Sequence, residues 1–170
     1  MKTKTITRLG IFLCLGLVLS YVESLIPVVV AIPGFKIGLS NIVTMYVLYV
    51  YDSKKAFVIM ALRVILSGFL FSGMSAILYG LVGGVFCIVV MSLLKKTNLF
   101  SVMAVSMTGA VFHNFGQLMA AFIVMNNAKI FMYFPVLVLT GIVTGLLIGY
   151  LSGFVIKRLE NSSLFSSKDV

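Results

Sequence analysis

The sequence predicts an all-α membrane protein of six transmembrane helices. Three observations support this fold class: 61% of the 170 residues are hydrophobic, only 10% are charged, and the apolar residues fall in six long runs. A soluble domain carries about 25% charged residues, and a chain of this size cannot hide so much apolar surface in a core. Lipid must therefore be the solvent for most of the chain, which crosses it in helices of about 20 residues.

The six predicted helices follow one another through short polar connections. Their ranges are 6–26, 37–51, 56–71, 74–94, 102–125 and 131–157. The second is short for a membrane span unless it begins near Pro33. The first follows a basic amino terminus, as in a signal peptide, but it reaches Ile26 without a small-residue cleavage site, so we interpret it as an uncleaved helix. Residues 1–158 would form one transmembrane domain, and the Ser-rich residues 159–170 a flexible cytoplasmic tail.

The lysine and arginine residues predict how the helices are oriented. All but three of the 13 basic residues fall in segments that one side of the membrane would share. These are Lys2, Lys4, Arg8, Lys54, Lys55, Lys95, Lys96, Lys157, Arg158 and Lys168. The other side would hold only Lys36 and Lys129, and Arg63 lies inside the third helix. Because cytoplasmic connections are rich in lysine and arginine, we expect both termini to be cytoplasmic, in a multi-pass protein of the cell membrane.

The formal net charge of +9 does not indicate a nucleic-acid-binding protein. The basic residues lie between hydrophobic runs, as orientation signals do, and form no basic stripe interleaved with aromatic residues. Cys14 and Cys87 both lie inside apolar runs, where we expect small packing residues and neither a disulfide nor a metal framework.

Helix six carries four glycines at intervals of four residues. They are Gly141, Gly145, Gly149 and Gly153. On a helix they form one bare ridge, and in lipid such a ridge lets another helix backbone approach closely. We favour internal packing over an interface with a partner protein. Gly16 and Ser20 form a shorter line of small residues on helix one.

Polar side chains inside a bilayer are costly, so each requires an explanation. The most polar interruption is PGFKIGLSN at residues 33–41, where helix two begins. At 1.5 Å per residue, His113 lies about 18 Å and Gln117 about 24 Å from Ser101, in the outer half of the membrane. Three helices thus bring polar residues to the same half, and the candidate site residues are Glu23, Lys36, Asn41, His113, Asn114 and Gln117.

Two interpretations of this polar cluster are open. In the first, it is a substrate pocket: Glu23 accepts hydrogen bonds or meets a cation, Lys36 attracts a carboxylate or phosphate, and the others orient the substrate. In the second, the groups bond each other, for example as a Glu23–Lys36 ion pair or a Gln117 amide that bridges helices. We favour the pocket, because three helices supply these residues to one side of the membrane.

Arg63 is a buried charge of uncertain role. It lies seven residues beyond Ala56, about 10 Å from the predicted cytoplasmic end of helix three. Its side chain could extend to the cytoplasmic interface, or it could anchor an internal polar network with a helix carbonyl. The sequence does not separate these alternatives.

The sequence lacks the patterns expected of an enzyme or an ATPase. No phosphate-binding loop of the form G-x-x-x-x-G-K-[ST] is present. The four acidic residues lie far apart in sequence, so clustered carboxylates for magnesium are not expected. His113 is the single histidine. We therefore expect no catalytic residues, no metal site and no cofactor.

Several strings of the sequence resemble a known family. LSYVESLIP at 19–27, PGFKIGLSNIVT at 33–44, LRV at 62–64, HNFGQ at 113–117 and the glycine-rich segment 135–149 resemble the Gx transporter family over about residues 8–158. That family is similar to the substrate-binding S components of energy-coupling-factor (ECF) transporters. It also carries the label component I of heptaprenyl diphosphate synthase.

The resemblance implies a six-helix fold that captures a trace nutrient from outside. It implies two kinds of partner, a transmembrane coupling subunit and cytoplasmic ATPases. In such proteins small residues on helix one face the coupling subunit. The usual alanine pair is not evident in this chain, so Gly16 and Ser20 are the candidates for that surface.

The second label implies an alternative function, a non-catalytic membrane accessory of prenyl diphosphate synthesis. The absence of an aspartate-rich motif argues against a catalytic subunit. An ion or water channel is less favoured than either function, because no repeated charged ring or inverted repeat is visible.

Overall fold

A computed structural model of the chain describes residues 3–26 and 37–160, and within these ranges all regular secondary structure is helical. The α-helices are α1 (Thr3–Leu25), α2 (Asn41–Val50), α3 (Ser53–Ser67), α4 (Met74–Thr97), α5 (Val102–Met125) and α6 (Phe134–Glu160). A π-helical turn, Gly68–Ser72, continues α3, and a 3₁₀ segment, Ala128–Tyr133, precedes α6. The predicted boundaries of helix five coincide with those of α5.

Five of the described helical segments are long and apolar enough to cross a membrane. They are α1, α3 with the π-helical turn, α4, α5, and α6 with the 3₁₀ segment. These helices expose many large apolar side chains, as helices in contact with lipid do. The chain is therefore a polytopic membrane protein, and the predicted all-α fold class is confirmed. We call the end of the bundle that holds the Lys54–Lys55 and Lys95–Lys96 pairs the basic end, and the other end the opposite end.

Helix α2 is shorter than the sequence indicates. It begins at Asn41, four residues later than predicted, and its 10 residues rise about 15 Å, half the thickness of the hydrocarbon core. The backbone at Gly38 has φ of +81°, which a right-handed helix does not allow. A turn takes its place, in which the amide of Asn41 donates to the carbonyl of Gly38 at 2.8 Å. The helix therefore fills only the half of the bundle next to the basic end.

The same short helix is the centre of the hydrophobic core. Seven of its ten residues are buried, including the whole run from Val43 to Leu48. It packs against α1, α3 and α6, and Tyr46 stacks on Phe12 of α1 at 4.7 Å between ring centroids. A helix that is apolar on every face and buried on every face is typical of a core element.

Lys95 of α4 closes the carboxyl end of α2. Its ammonium group donates to the carbonyl oxygens of Leu48 at 2.6 Å and Tyr49 at 3.4 Å. Carbonyls in the last turn of a helix have no partner within the helix, and a cation there also meets the negative end of the helix dipole. One of the basic residues that predict orientation thus also stabilises the core helix.

The glycine ridge of α6 packs against α5. A methyl group at Gly145 would lie 2.6 Å from the Cα of Met107, and one at Gly149 would lie 2.8 Å from the Cα of Met103. Gly141 is similarly close to Val111. Gly153 differs, since a methyl group there would meet nothing within 4 Å. Three of the four glycines therefore bring two helix backbones together inside the protein.

One expectation about the cysteines needs correction. Cys87 is buried in the core as expected, but Cys14 is exposed on α1, so it is not a packing residue; both are free thiols.

Helix α6 continues to Glu160, two residues into the segment predicted as the tail. Residues 161–170 lie outside the described part of the chain.

The glycine ridge generates a first prediction. Gly145→Ala should destabilise the protein by about 1–3 kcal/mol, because the new methyl group collides with backbone that cannot move without displacing α5. Gly153→Ala is the matched control and should leave the stability unchanged or slightly raised, since alanine favours helix by up to about 1 kcal/mol. Thermal unfolding in detergent micelles measures both variants. Equal stability of the two would contradict close packing at Gly145.

The contact between Lys95 and α2 generates a second prediction. Lys95→Met keeps the aliphatic stem but removes the donor, and should cost about 1–2 kcal/mol, the usual contribution of a hydrogen bond from a charged group. Lys96→Met changes the neighbouring exposed lysine and should have almost no effect. Both variants are unfolded in mixed micelles that contain an increasing fraction of a denaturing detergent, and their free energies of unfolding are compared. A Lys95→Met variant as stable as Lys96→Met would show that the contact does not stabilise α2.

Candidate functional site

A cavity of about 430 Å³ lies at the opposite end of the bundle. Its walls come from the last turns of α1, the turn before α2, the end of α3 with the π-helical turn, the first turns of α4, and the second half of α5. The cavity lies beyond the start of α2, because α2 begins only at Asn41. Non-helical backbone at membrane depth is tolerated where it is buried in protein or lines a cavity, and the turn at Gly38–Ser40 does the latter.

Five of the six candidate site residues line this cavity. They are Glu23, Asn41, His113, Asn114 and Gln117. The sixth, Lys36, lies outside the described residues. Residues from three separate stretches of sequence are thus brought together at one end of the bundle.

Glu23 joins α1 to the turn. Only 9% of its surface is exposed, and its carboxylate accepts a hydrogen bond from the backbone amide of Gly38 at 2.5 Å. That amide belongs to a non-helical turn and would otherwise lack a partner inside the membrane. Glu23 therefore holds the turn in place.

Arg63 points into the protein. It is only 6% exposed, and one nitrogen of its guanidinium donates to the hydroxyl of Ser40, while the other donates to the side-chain oxygen of Asn41 at 3.0 Å. Of the two interpretations of this residue, the structure shows the internal polar network, with side-chain partners where a helix carbonyl was expected. The physical reason is depth. Helix α3 begins at Ser53, three residues earlier than predicted, so Arg63 lies about 15 Å along the helix from its basic end.

The small residues of α1 face inward. Gly16 is buried, and a methyl group there would lie 3.2 Å from the Cδ of Arg63, so the glycine leaves room for the arginine side chain. Ser20, one turn further along, lines the cavity. Both positions thus contact the interior of this chain.

Helices α4 and α5 cross closely next to the cavity. A methyl group at Gly83 would lie 2.8 Å from the carbonyl oxygen of His113, and one at Gly116 would lie 2.8 Å from the Cα of Gly83. This crossing brings His113 and Gln117, which lie four apart on α5, to the cavity wall. Gln117 has no hydrogen-bond partner among the described residues and presents a free amide to the cavity.

Asn114 combines two roles. Its amide nitrogen donates to the backbone carbonyl of Leu137 in α6 at 2.8 Å, which ties α5 to α6. It also lines the cavity and a second, smaller cavity of about 40 Å³ below it. That smaller space is bounded mainly by apolar residues such as Met45, Cys87 and Met91.

Serine is the site residue that sequence reasoning missed. The cavity is lined by six serines, from α1, the turn, α3, the π-helical turn and α4: Ser20, Ser24, Ser40, Ser67, Ser72 and Ser75. A signal was present, because these serines all occupy the predicted outer ends of their segments. Each hydroxyl can donate and accept a hydrogen bond. The lining is therefore rich in neutral groups that bind polar solutes.

The lining combines charged and neutral polar groups. It offers one carboxylate, one guanidinium, one imidazole, three amides and several hydroxyls. Among the described residues, no group of three or more His, Cys, Asp or Glu side chains is placed to hold a metal ion. Such a lining can hold and orient a polar molecule through hydrogen bonds and charge.

Comparison with known proteins gives one match. The model of the heptaprenyl diphosphate synthase component I family matches residues 12–155, which covers most of the chain and every described residue of the cavity lining. No curated protein and no solved structure matches the chain significantly. The second label carried by the resembling family is thus confirmed: the chain belongs to the heptaprenyl diphosphate synthase component I family.

Proposed function

We propose that the chain is a membrane subunit that binds a small polar nutrient or precursor from the outer side of the cell membrane, without enzymatic activity of its own. The observation that carries this proposal is the polar cavity of about 430 Å³ in the predicted outer half of the bundle. Pockets for small molecules commonly measure about 300–1,000 Å³. Polar groups at membrane depth are costly, and a bound solute is a reason to keep them there.

Uptake would require partners that supply energy. The sequence has no phosphate-binding loop of the kind that hydrolyses ATP. We propose a transmembrane coupling subunit with cytoplasmic ATPases, in the arrangement of ECF transporters, in which this chain is the S component. The resemblance of residues 8–158 to the Gx transporter family supports this part of the proposal.

Each site residue has a proposed role. Gln117 and His113 orient the solute from the α5 wall, and Asn41 and Asn114 do so from the floor. Glu23 and Arg63 hold the turn before α2 and place one charge of each sign at the cavity. Lys36, directly before the described turn in the sequence, is proposed to contribute a further positive charge.

A second candidate function rests on the family match. The family's name describes a component of heptaprenyl diphosphate synthase, which favours a membrane accessory that assembles with another synthase component. In that function the cavity would hold the polar end of a prenyl precursor. The apolar prenyl chain would extend from this polar end along the apolar surfaces of the helices.

One purification separates the two functions. The chain, tagged and solubilised from its own membranes, is expected to carry a small polar solute, detected by native mass spectrometry. It is also expected to retain a membrane subunit and ATPases. Recovery of a soluble prenyl synthase component and a bound prenyl diphosphate would favour the second function.

The site generates a third prediction. Gln117→Ala should weaken the affinity for the co-purified solute about tenfold, since a lost hydrogen bond in a buried site costs about 1.5 kcal/mol, and the fraction of protein that carries the solute should fall. Native mass spectrometry of the purified variant measures this occupancy.

Thr108→Ala is the matched control on the same helix. Thr108 bonds to the carbonyl of Ala104 within α5 and does not line the cavity, so occupancy should stay at the wild-type level. If Gln117→Ala keeps full occupancy, or Thr108→Ala loses as much, the solute binds elsewhere.

A further inference from the structure

We propose that the solute carries an acidic group, a carboxylate or phosphate, and that Arg63, Ser40 and Asn41 form the oxyanion subsite at the floor of the cavity. This inference rests on the proposed function and names the class of ligand. It starts from the three residues joined by the hydrogen bonds of the Arg63 guanidinium.

Arg63 is a buried cation whose hydrogen-bond partners are neutral. The side chain is 6% exposed, and within the described residues no carboxylate lies within the 4.0 Å that defines an ion pair with it. A buried charge without a counter-charge is strongly unfavourable. An anionic ligand would supply the counter-charge.

The rest of the chain offers little to neutralise Arg63. Of the four acidic residues, Asp52 pairs with Lys55 at the basic end at 3.2 Å. Glu160 and Asp169 belong to the carboxyl-terminal end. Glu23 also lines the cavity, where its carboxylate accepts from the amide of Gly38 and forms no ion pair with Arg63, so it balances the arginine charge only through space.

The stretch between α1 and the turn adds positive charge only. Residues 27–36 contain no acidic side chain and one basic one, Lys36. Among the described residues of the cavity lining, the charged groups are Glu23 and Arg63. The sequence next to the lining therefore adds positive charge and no further counter-charge for Arg63.

Arg63 also has donors to spare. A guanidinium carries five N–H groups in a planar fork that matches carboxylate and phosphate. Nη1 donates to Ser40 and Nη2 to Asn41, so each of these nitrogens keeps a second N–H, whereas Nε is buried without a partner among the described residues. The subsite also lies at the amino end of α2, where the helix dipole favours negative charge.

Thermal unfolding with simple anions tests the subsite. Inorganic phosphate and sodium acetate are the probes, each compared with sodium chloride at equal ionic strength. We expect at least one of them to raise the Tm of the wild-type protein in a saturable way, and the anion with the larger effect indicates phosphate or carboxylate. Failure of both anions to shift the wild-type Tm would overturn the proposal.

Three variants test whether the anion-induced rise in Tm depends on Arg63. Arg63→Gln should weaken the apparent affinity for the anion about tenfold or more, because it removes charge and fork together. Arg63→Lys keeps the charge but loses the fork, so it should be intermediate; it carries the comparison if Arg63→Gln does not fold. Lys96→Gln, at an exposed lysine of the basic end, should respond as the wild type does. Equal shifts in all four proteins would mean a general salt effect and would refute the subsite.

Native mass spectrometry distinguishes failure of the oxyanion subsite from failure of the proposed function on which it rests. A co-purified solute with an acidic group supports both. A co-purified solute with no acidic group would refute the oxyanion subsite but would still support the proposed binding function. If the wild-type protein never carries a solute, the proposed function fails, whereas the anion experiment still decides the subsite.

Discussion

The structure depends on one constraint: backbone amides and carbonyls inside a membrane must find partners within the protein. Helix α2 stops at Asn41, so the turn before it has polar backbone without helical partners. Two buried side chains hold this turn, Glu23 through the amide of Gly38 and Arg63 through Ser40 and Asn41. Each comes from a different helix, which ties α1, α2 and α3 together. The cavity lies beyond the start of the short helix because the turn is stabilised in this way.

Close packing of helices supports the wall of the cavity that α4 and α5 form. Helices α4, α5 and α6 approach one another through glycines, such as Gly83 with Gly116 and Gly145 with Met107. Helices in lipid associate through close packing and hydrogen bonds, because burial of apolar surface gives little advantage there. Asn114 adds such a hydrogen bond from α5 to α6. The polar residues of α5 are thus presented to the cavity from a tightly packed support.

The two interpretations of the polar cluster describe different members of it. Glu23, Arg63 and Asn114 make hydrogen bonds within the protein and maintain its shape. Gln117 has no partner among the described residues and faces the cavity. The hydrogen bonds within the protein maintain the shape of the cavity, and the other polar groups of its lining are available to a solute.

The sequence by itself determined the all-α membrane fold and which polar residues share one end of the bundle. Apolar runs and helical rise are local properties, so the spans and the shared position of Glu23, Asn41, His113, Asn114 and Gln117 could be predicted. Tertiary structure decided the rest. Only the packed bundle shows that α2 is a buried half-length helix, because its apolar run differs little from one that faces lipid. Only three-dimensional contact gives Arg63 its partners on the turn, more than 20 residues away in sequence, and no local pattern specifies such a pair.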